Sequence, residues 1–271
     1  MPLAPQGINY RDEGAGAPVL LVHGWCMSSA VWELQRSALC RAHRMIAPDL
    51  RGHGASVMPP TGIGGFAGYA DDIACLVEHL DLRDMTLVGW SLGAQVLLRA
   101  YPRLRERTAG LVLVGATPRF TAAAHFPWGL HPDEARGMAL KVRRSLNRAL
   151  EGFRGRMFTD DELNAPEAAD RVAAVLASVL PPSTAAALDG LEALMEEELL
   201  AEARRVDCPT LIMHGDRDRI CRPEAGRWLA DAIPGSELVW YEGCGHAPFL
   251  SRPERFNADL LRFMESLHAG H

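Results

Sequence analysis

Gly89-Trp90-Ser91-Leu92-Gly93 places a serine between two glycines, and apolar stretches of different period flank it. Met85-Thr86-Leu87-Val88 reads as a strand entering, and Ala94, Val96, Leu97 and Leu98 read as the buried side of a helix leaving. In that setting G-x-S-x-G predicts a sharp strand-to-helix turn, with a strained serine whose Oγ stands at the carboxyl edge of a sheet. A Cβ at either glycine would run into the neighbouring strand or helix. The chemistry on offer is nucleophilic attack by Ser91.

A hydroxyl is inert near neutral pH unless a base, an orienting acid and an oxyanion hole accompany it. Candidates follow in the order serine, acid, histidine. Thr210-Leu211-Ile212-Met213-His214-Gly215 reads as a buried strand ending in Asp216-Arg217-Asp218-Arg219. Glu237-Leu238-Val239-Trp240-Tyr241 reads as the last strand, leading into Gly243-Cys244-Gly245-His246. His246 is the expected base, and the other nine histidines read as surface or core residues. Asp218 is the expected acid because it leaves room for a turn toward the imidazole, whereas Asp216 is expected to hydrogen-bond loop amides. The backbone N–H groups of Leu92 and Trp25 are the expected oxyanion donors. Trp25 follows the strand Pro18–Val22 and Gly24, which permits close approach, and His23 reads as a brace for that loop. Cys26 and Cys244 lie near these positions, but Ser91 on its turn is the better nucleophile.

Strands are expected at 18–23, 44–48, 85–90, 110–115, 209–214 and 237–241, with another near 7–12. Helices are expected at 29–41, 69–80, 92–101, 223–232 and 253–267. That alternation predicts an α/β fold with a mostly parallel central sheet flanked by helices. It fails between about Thr117 and Arg205, which reads as a helical cap inserted after the sixth strand, over the edge where the candidate residues converge. The expected division is core 1–117, cap 118–205 and core 206–271.

The cap carries a second feature. Arg136, Lys141, Arg143, Arg144, Arg148, Arg154 and Arg156 stand against one acid, Glu151, so this segment is +6 in a chain of net charge −6. Val142, Leu146, Ala149, Phe153 and Met157 fall on one apolar helix face, with Gly152 and Gly155 expected to interrupt the helix near its end. Lys141, Arg143, Arg144 and Arg148 then form either an ordinary solvated face or a docking patch for an acidic partner. Trp90, Phe120, Phe126, Trp128, Met138, Phe153 and Met157 are candidates to line a channel beneath.

With 271 residues and 48% hydrophobic content, one large core is feasible. Nucleic acid is a poor partner at a pI near 5.9 with no aromatics among the basic residues. The first residues lack a signal-peptide pattern, and no apolar run approaches a membrane span. Six scattered cysteines without a C-x-x-C pair read as reduced thiols of a cytoplasmic protein, with neither a metal nor a cofactor called for.

His23-Gly24-Trp25, Asp49-Leu50-Arg51-Gly52-His53-Gly54-Ala55-Ser56, Gly89–Gly93, Gly215–Asp218 and Gly245-His246-Ala247-Pro248-Phe249 occur in order over nearly the whole chain. With them the sequence resembles the α/β-hydrolase superfamily. Within it, His-Gly-Trp at 23–25 with Val31-Trp32, Gly-Trp-Ser-Leu-Gly at 89–93, Leu188-Asp189-Gly190-Leu191-Glu192 and His-Ala-Pro-Phe at 246–249 are similar to the pimeloyl-[acyl-carrier protein] methyl ester esterases of biotin synthesis. The resemblance implies an α/β-hydrolase fold and a serine carboxylesterase acting on an acyl methyl ester. It also implies that the ester is presented by an acyl carrier protein docked on the basic segment, with Trp25, Trp90 and Phe153 at the substrate. A short-chain carboxylesterase, an enol-lactonase, a C–C bond hydrolase and an acyltransferase would share the same triad.

Overall fold

A computed structural model describes residues 4–268. Among them seven strands, β1 (Tyr10–Gly14), β2 (Ala17–Val22), β3 (His43–Pro48), β4 (Met85–Trp90), β5 (Thr108–Val114), β6 (Thr210–Gly215) and β7 (Glu237–Tyr241), form one sheet. Its order is β1-β3-β2-β4-β5-β6-β7, with β1 antiparallel to β3 and every other pair parallel. All six residues of β4 and of β6 are buried, as continuous apolar runs at the centre of a parallel sheet require. The α/β arrangement read from the alternation is the one observed.

Helices α1 (Glu33–Leu39), α2 (Gly65–His79), α3 (Leu92–Leu104), α4 (Pro132–Arg144), α5 (Leu146–Arg156), α6 (Pro166–Ser178), α7 (Thr184–Glu196), α8 (Leu200–Ala203), α9 (Pro223–Ala232), α10 (Pro248–Ser251) and α11 (Pro253–His268) complete the chain. Register brings the carboxyl ends of the central strands together: Val22 lies opposite Gly89, Trp90 opposite Val114, and Val114 opposite Met213. The loops after β2, β4, β6 and β7 therefore leave one edge of the sheet, where α/β proteins build their sites.

Three expectations about the inserted helices need correction. Helices α4 to α8 follow the fifth strand of the chain, not the sixth, because only one antiparallel strand precedes β2. The single helix expected through Val142 and Phe153 is two helices, broken where Ser145 turns extended (φ −165°, ψ 103°). Burial explains why the periodicity survives the break: Val142, Ala149, Phe153 and Met157 are buried and Leu146 partly so, on two helices instead of one. Gly152 and Gly155 do not end α5; both face open space, where a missing side chain costs the helix no packing. No helix among the described residues is long and apolar enough to cross a membrane.

Candidate active site

The turn between β4 and α3 holds Ser91 at φ +55° and ψ −119°. A non-glycine residue in that region stores strain of roughly 1–3 kcal/mol and persists only where its surroundings impose it. Here they do. A Cβ on Gly89 would lie 2.6 Å from the Ala94 Cα, and one on Gly93 would overlap the Val22 carbonyl, so both glycines are sterically required. The Ser91 N–H donates to Val114 O at 2.9 Å, tying the turn to β5. The positive end of α3 points back at the serine.

Asp218 and His246 form a buried pair, with Nδ1 donating to Oδ2 at 2.7 Å. Oδ1 accepts from the N–H groups of Ile220 (2.7 Å) and Cys221 (3.0 Å), and His214 Nε2 lies 3.5 Å from Oδ2. Burial by itself would raise the Asp218 carboxyl. The facing His246, with the His214 and His246 hydrogen bonds, holds it well below the usual carboxylate range. An ionised Asp218 fixes Nδ1 as donor and leaves the Nε2 lone pair of His246 free. Asp216 is exposed and accepts from Gly243 N–H at 2.7 Å, joining the loops after β6 and β7.

Ser91 stands at the same sheet edge without a hydrogen bond to His246. His246 Nε2 is buried and has no hydrogen-bond partner among the described residues. Burial and the Asp218 charge push the Cys221 thiol well up, and the neighbouring Ser91 hydroxyl eases it. Cys221 is thus a thiol beside the serine. Nothing in the sequence singled it out.

Leu92 opens α3, so its N–H has no helical carbonyl to reach. Gly24 brings the neighbouring loop so close that a Cβ there would lie 3.3 Å from the Ser91 Cβ. Beside it, Trp25 donates its indole N–H to Ala187 O of α7 at 2.8 Å and meets the Phe153 ring edge-on, 5.0 Å between centroids. His23 holds this loop from behind, bonding Gly24 O through Nδ1 (2.9 Å) and accepting from Leu50 N–H at Nε2 (3.0 Å). Burial lowers its affinity for a proton, which suits that accepting nitrogen.

Trp90 serves differently from the expected substrate contact. It is 1% exposed, packs edge-on against Phe249, and donates its indole N–H to His246 O at 2.9 Å. It braces the base. Phe126 and Trp128 also leave the candidate channel: they pack with Trp228 in a separate small cluster.

Lys141, Arg143, Arg144 and Arg148 are all exposed. Three of them, Lys141, Arg144 and Arg148, line a surface hollow of about 540 Å³ with Ser145 and Ala149, at the break between α4 and α5. Among the described residues no three His, Cys, Asp or Glu side chains come together as a metal cage.

Residues 19–259 match the alpha/beta hydrolase family. The chain is similar to the pimeloyl-[acyl-carrier protein] methyl ester esterase of Nitrosomonas europaea, at 34% identity over 92% of this chain and 96% of that protein. It is also similar to a non-heme haloperoxidase of Rhodococcus erythropolis, at 32% identity over 96% of each. Among solved structures, an esterase from Exiguobacterium antarcticum matches with a TM-score of 0.89 and 28% identity, over 98% of this chain and 100% of that one.

Proposed function

The chain belongs to the alpha/beta hydrolase family, and from that premise we propose that it is a serine carboxylesterase with Ser91 as nucleophile, His246 as base and Asp218 as orienting acid. One observation carries the reading: a strained serine at a strand-to-helix turn shares a sheet edge with a buried Asp–His pair whose Nε2 is unengaged. As an ester enters, the Ser91 hydroxyl turns toward Nε2; such hydrogen bonds often tighten only when substrate is bound. His246 takes the proton while Oγ attacks the carbonyl carbon, and the amides of Trp25 and Leu92 hold the oxyanion. The imidazolium returns its proton to the departing alcohol, leaving an acyl-enzyme. Water, deprotonated by His246, then releases the acid and frees Ser91.

The preferred substrate in this reading is an acyl methyl ester, pimeloyl-[acyl-carrier protein] methyl ester above all. The similarity to esterases of that name supports it, as does the exposed basic hollow, which fits an acidic carrier. The helices of 118–205 act as the cap, with Trp25 and Phe153 at the acyl chain. A cytoplasmic setting agrees with six cysteines that all stand unpaired.

A fluorophosphonate probe followed by a hydrolysis panel tests the proposal. Wild type should take the label and Ser91→Ala should not, with kcat lower by several orders of magnitude, since triad members act as a unit. Methyl pimeloyl-carrier protein should be turned over with a higher kcat/KM than p-nitrophenyl esters. Wild-type turnover by Ser91→Ala would end the serine-esterase reading, and indifference to the carrier would reduce it to a general esterase.

A further inference from the structure

Glu162 lies in the short turn Asp160–Leu163 that follows α5, and it is 1% exposed. Thr159-Asp160-Asp161-Glu162 has the spacing of a capping box, in which the acid reaches back to the first residue's N–H. That bond is present, from Thr159 N–H to Oε2 at 2.6 Å. Capping needs no more. Yet Oε2 also accepts from Gly245 N–H at 2.7 Å, and Oε1 accepts from the Ser251 hydroxyl at 2.6 Å. Gly245 directly precedes His246, and Ser251 closes α10 just beyond it.

The same stretch of insertion makes two more bonds to that loop. His246 N–H donates to Met157 O at 2.7 Å, and the Thr159 hydroxyl donates to Gly243 O at 2.8 Å. The fit is close: a Cβ on Gly245 would lie 2.5 Å from Met157 O and 3.2 Å from Glu162 Oε2. A buried carboxylate is costly to desolvate unless donors surround it, and three do. Two of the three come from the segment that carries the base.

We propose that Glu162 is a positioning residue for His246: its carboxylate fixes the Gly245–Ser251 segment against the insertion and so sets the imidazole where Ser91 can use it. This rests on the serine-esterase reading above. Glu162 touches no reacting atom, so its loss should act on the transition state more than on substrate binding. A displacement of about 1 Å in a catalytic group can cost on the order of a hundredfold in rate.

The test is Glu162→Gln, which keeps the shape but presents an NH2 group where one oxygen accepted. On short and long esters alike, kcat should fall about ten- to a hundredfold, with KM nearly unchanged and the fluorophosphonate labelling rate falling by the same factor. The far-downfield proton resonance of the His246 Nδ1–H should shift or broaden in the folded variant, which a loss of stability alone would not cause. A folded variant with wild-type kcat, labelling rate and resonance would overturn the proposal, as would a fall explained by the unfolded fraction. Should Glu162→Gln fail to fold, Ser251→Ala carries the test: a fall in kcat at constant KM supports it, and wild-type kcat refutes it. Labelling of wild type and variant at equal rates sinks this proposal alone. Absence of labelling in wild type sinks the esterase reading and this proposal with it.

Discussion

Asp218 and Asp216 stand two residues apart on one loop and do unlike work. Asp218 is buried against His246, whereas Asp216 is exposed on the Gly243 amide. Asp218→Asn should therefore leave the imidazole in the wrong tautomer and cost on the order of 10⁴ in kcat. Asp216→Asn should keep most of the activity and lose a little stability. Steady-state kinetics and thermal melts of the two variants decide this, and a larger kinetic loss at Asp216 would reverse the roles. In the sequence only the spacing after Gly215 distinguishes these two acids. It was not enough to show what else meets the acid. His214 and Cys221 flank Asp218 at four and three residues, and no motif in the sequence marks either of them. Their roles come from a loop that folds back on itself.

At the scale of elements, the strands were legible because a buried parallel strand is an unbroken apolar run, and each run read as a strand is one in the structure. The break at Ser145 was not. No glycine or proline marks it, and the apolar spacing continues across it because two helices meeting at an angle can present one buried side. That break gives the basic residues their shape, turning a solvated helix face into a hollow shared by Lys141, Arg144 and Arg148. If the hollow receives a carrier protein, reversing the charge of two of these residues should raise KM for a carrier-linked ester and flatten its salt dependence. Charges at the rim of an interface act mainly on encounter. The kcat/KM for p-nitrophenyl butyrate should hardly change in the same variants. Equal losses on both substrates would mean that the cap had been damaged, and no loss on either would leave the hollow without this role.

For the whole molecule, the buried histidines set a limit on the acid side. His53 is fully buried, and burial, with the neighbouring His23, lowers it from 6.5 to about 3, against smaller opposing effects of the Arg51 carbonyl and Asp49. The unfolded chain binds that proton near pH 6.5 and the folded chain does not, so the unfolded state carries more protons in between. Stability from this residue is complete above about pH 6.5 and declines as pH falls toward 3. At pH 4.5 the loss is about 2–3 kcal/mol. Asp218 adds to it lower down, because its depressed carboxyl resists the proton that the unfolded chain accepts. Denaturant midpoints at pH 7 and 4.5 should show the drop, and His53→Leu should shrink it. An equal drop in that variant would assign the acid sensitivity elsewhere.

The insertion and the sheet share a boundary that does not follow the order of the chain. Met157, Thr159 and Glu162 are numbered with the inserted helices, yet their hydrogen bonds end on the loop of His246. A graft cut at the ends of the insertion would bring foreign residues against the base and lose activity toward every ester, however well its pocket were shaped. A chimera that leaves Met157–Leu163 in place and replaces helices on either side of it keeps the base registered while the pocket changes. These few residues are bonded to the His246 loop and form one structural unit with it.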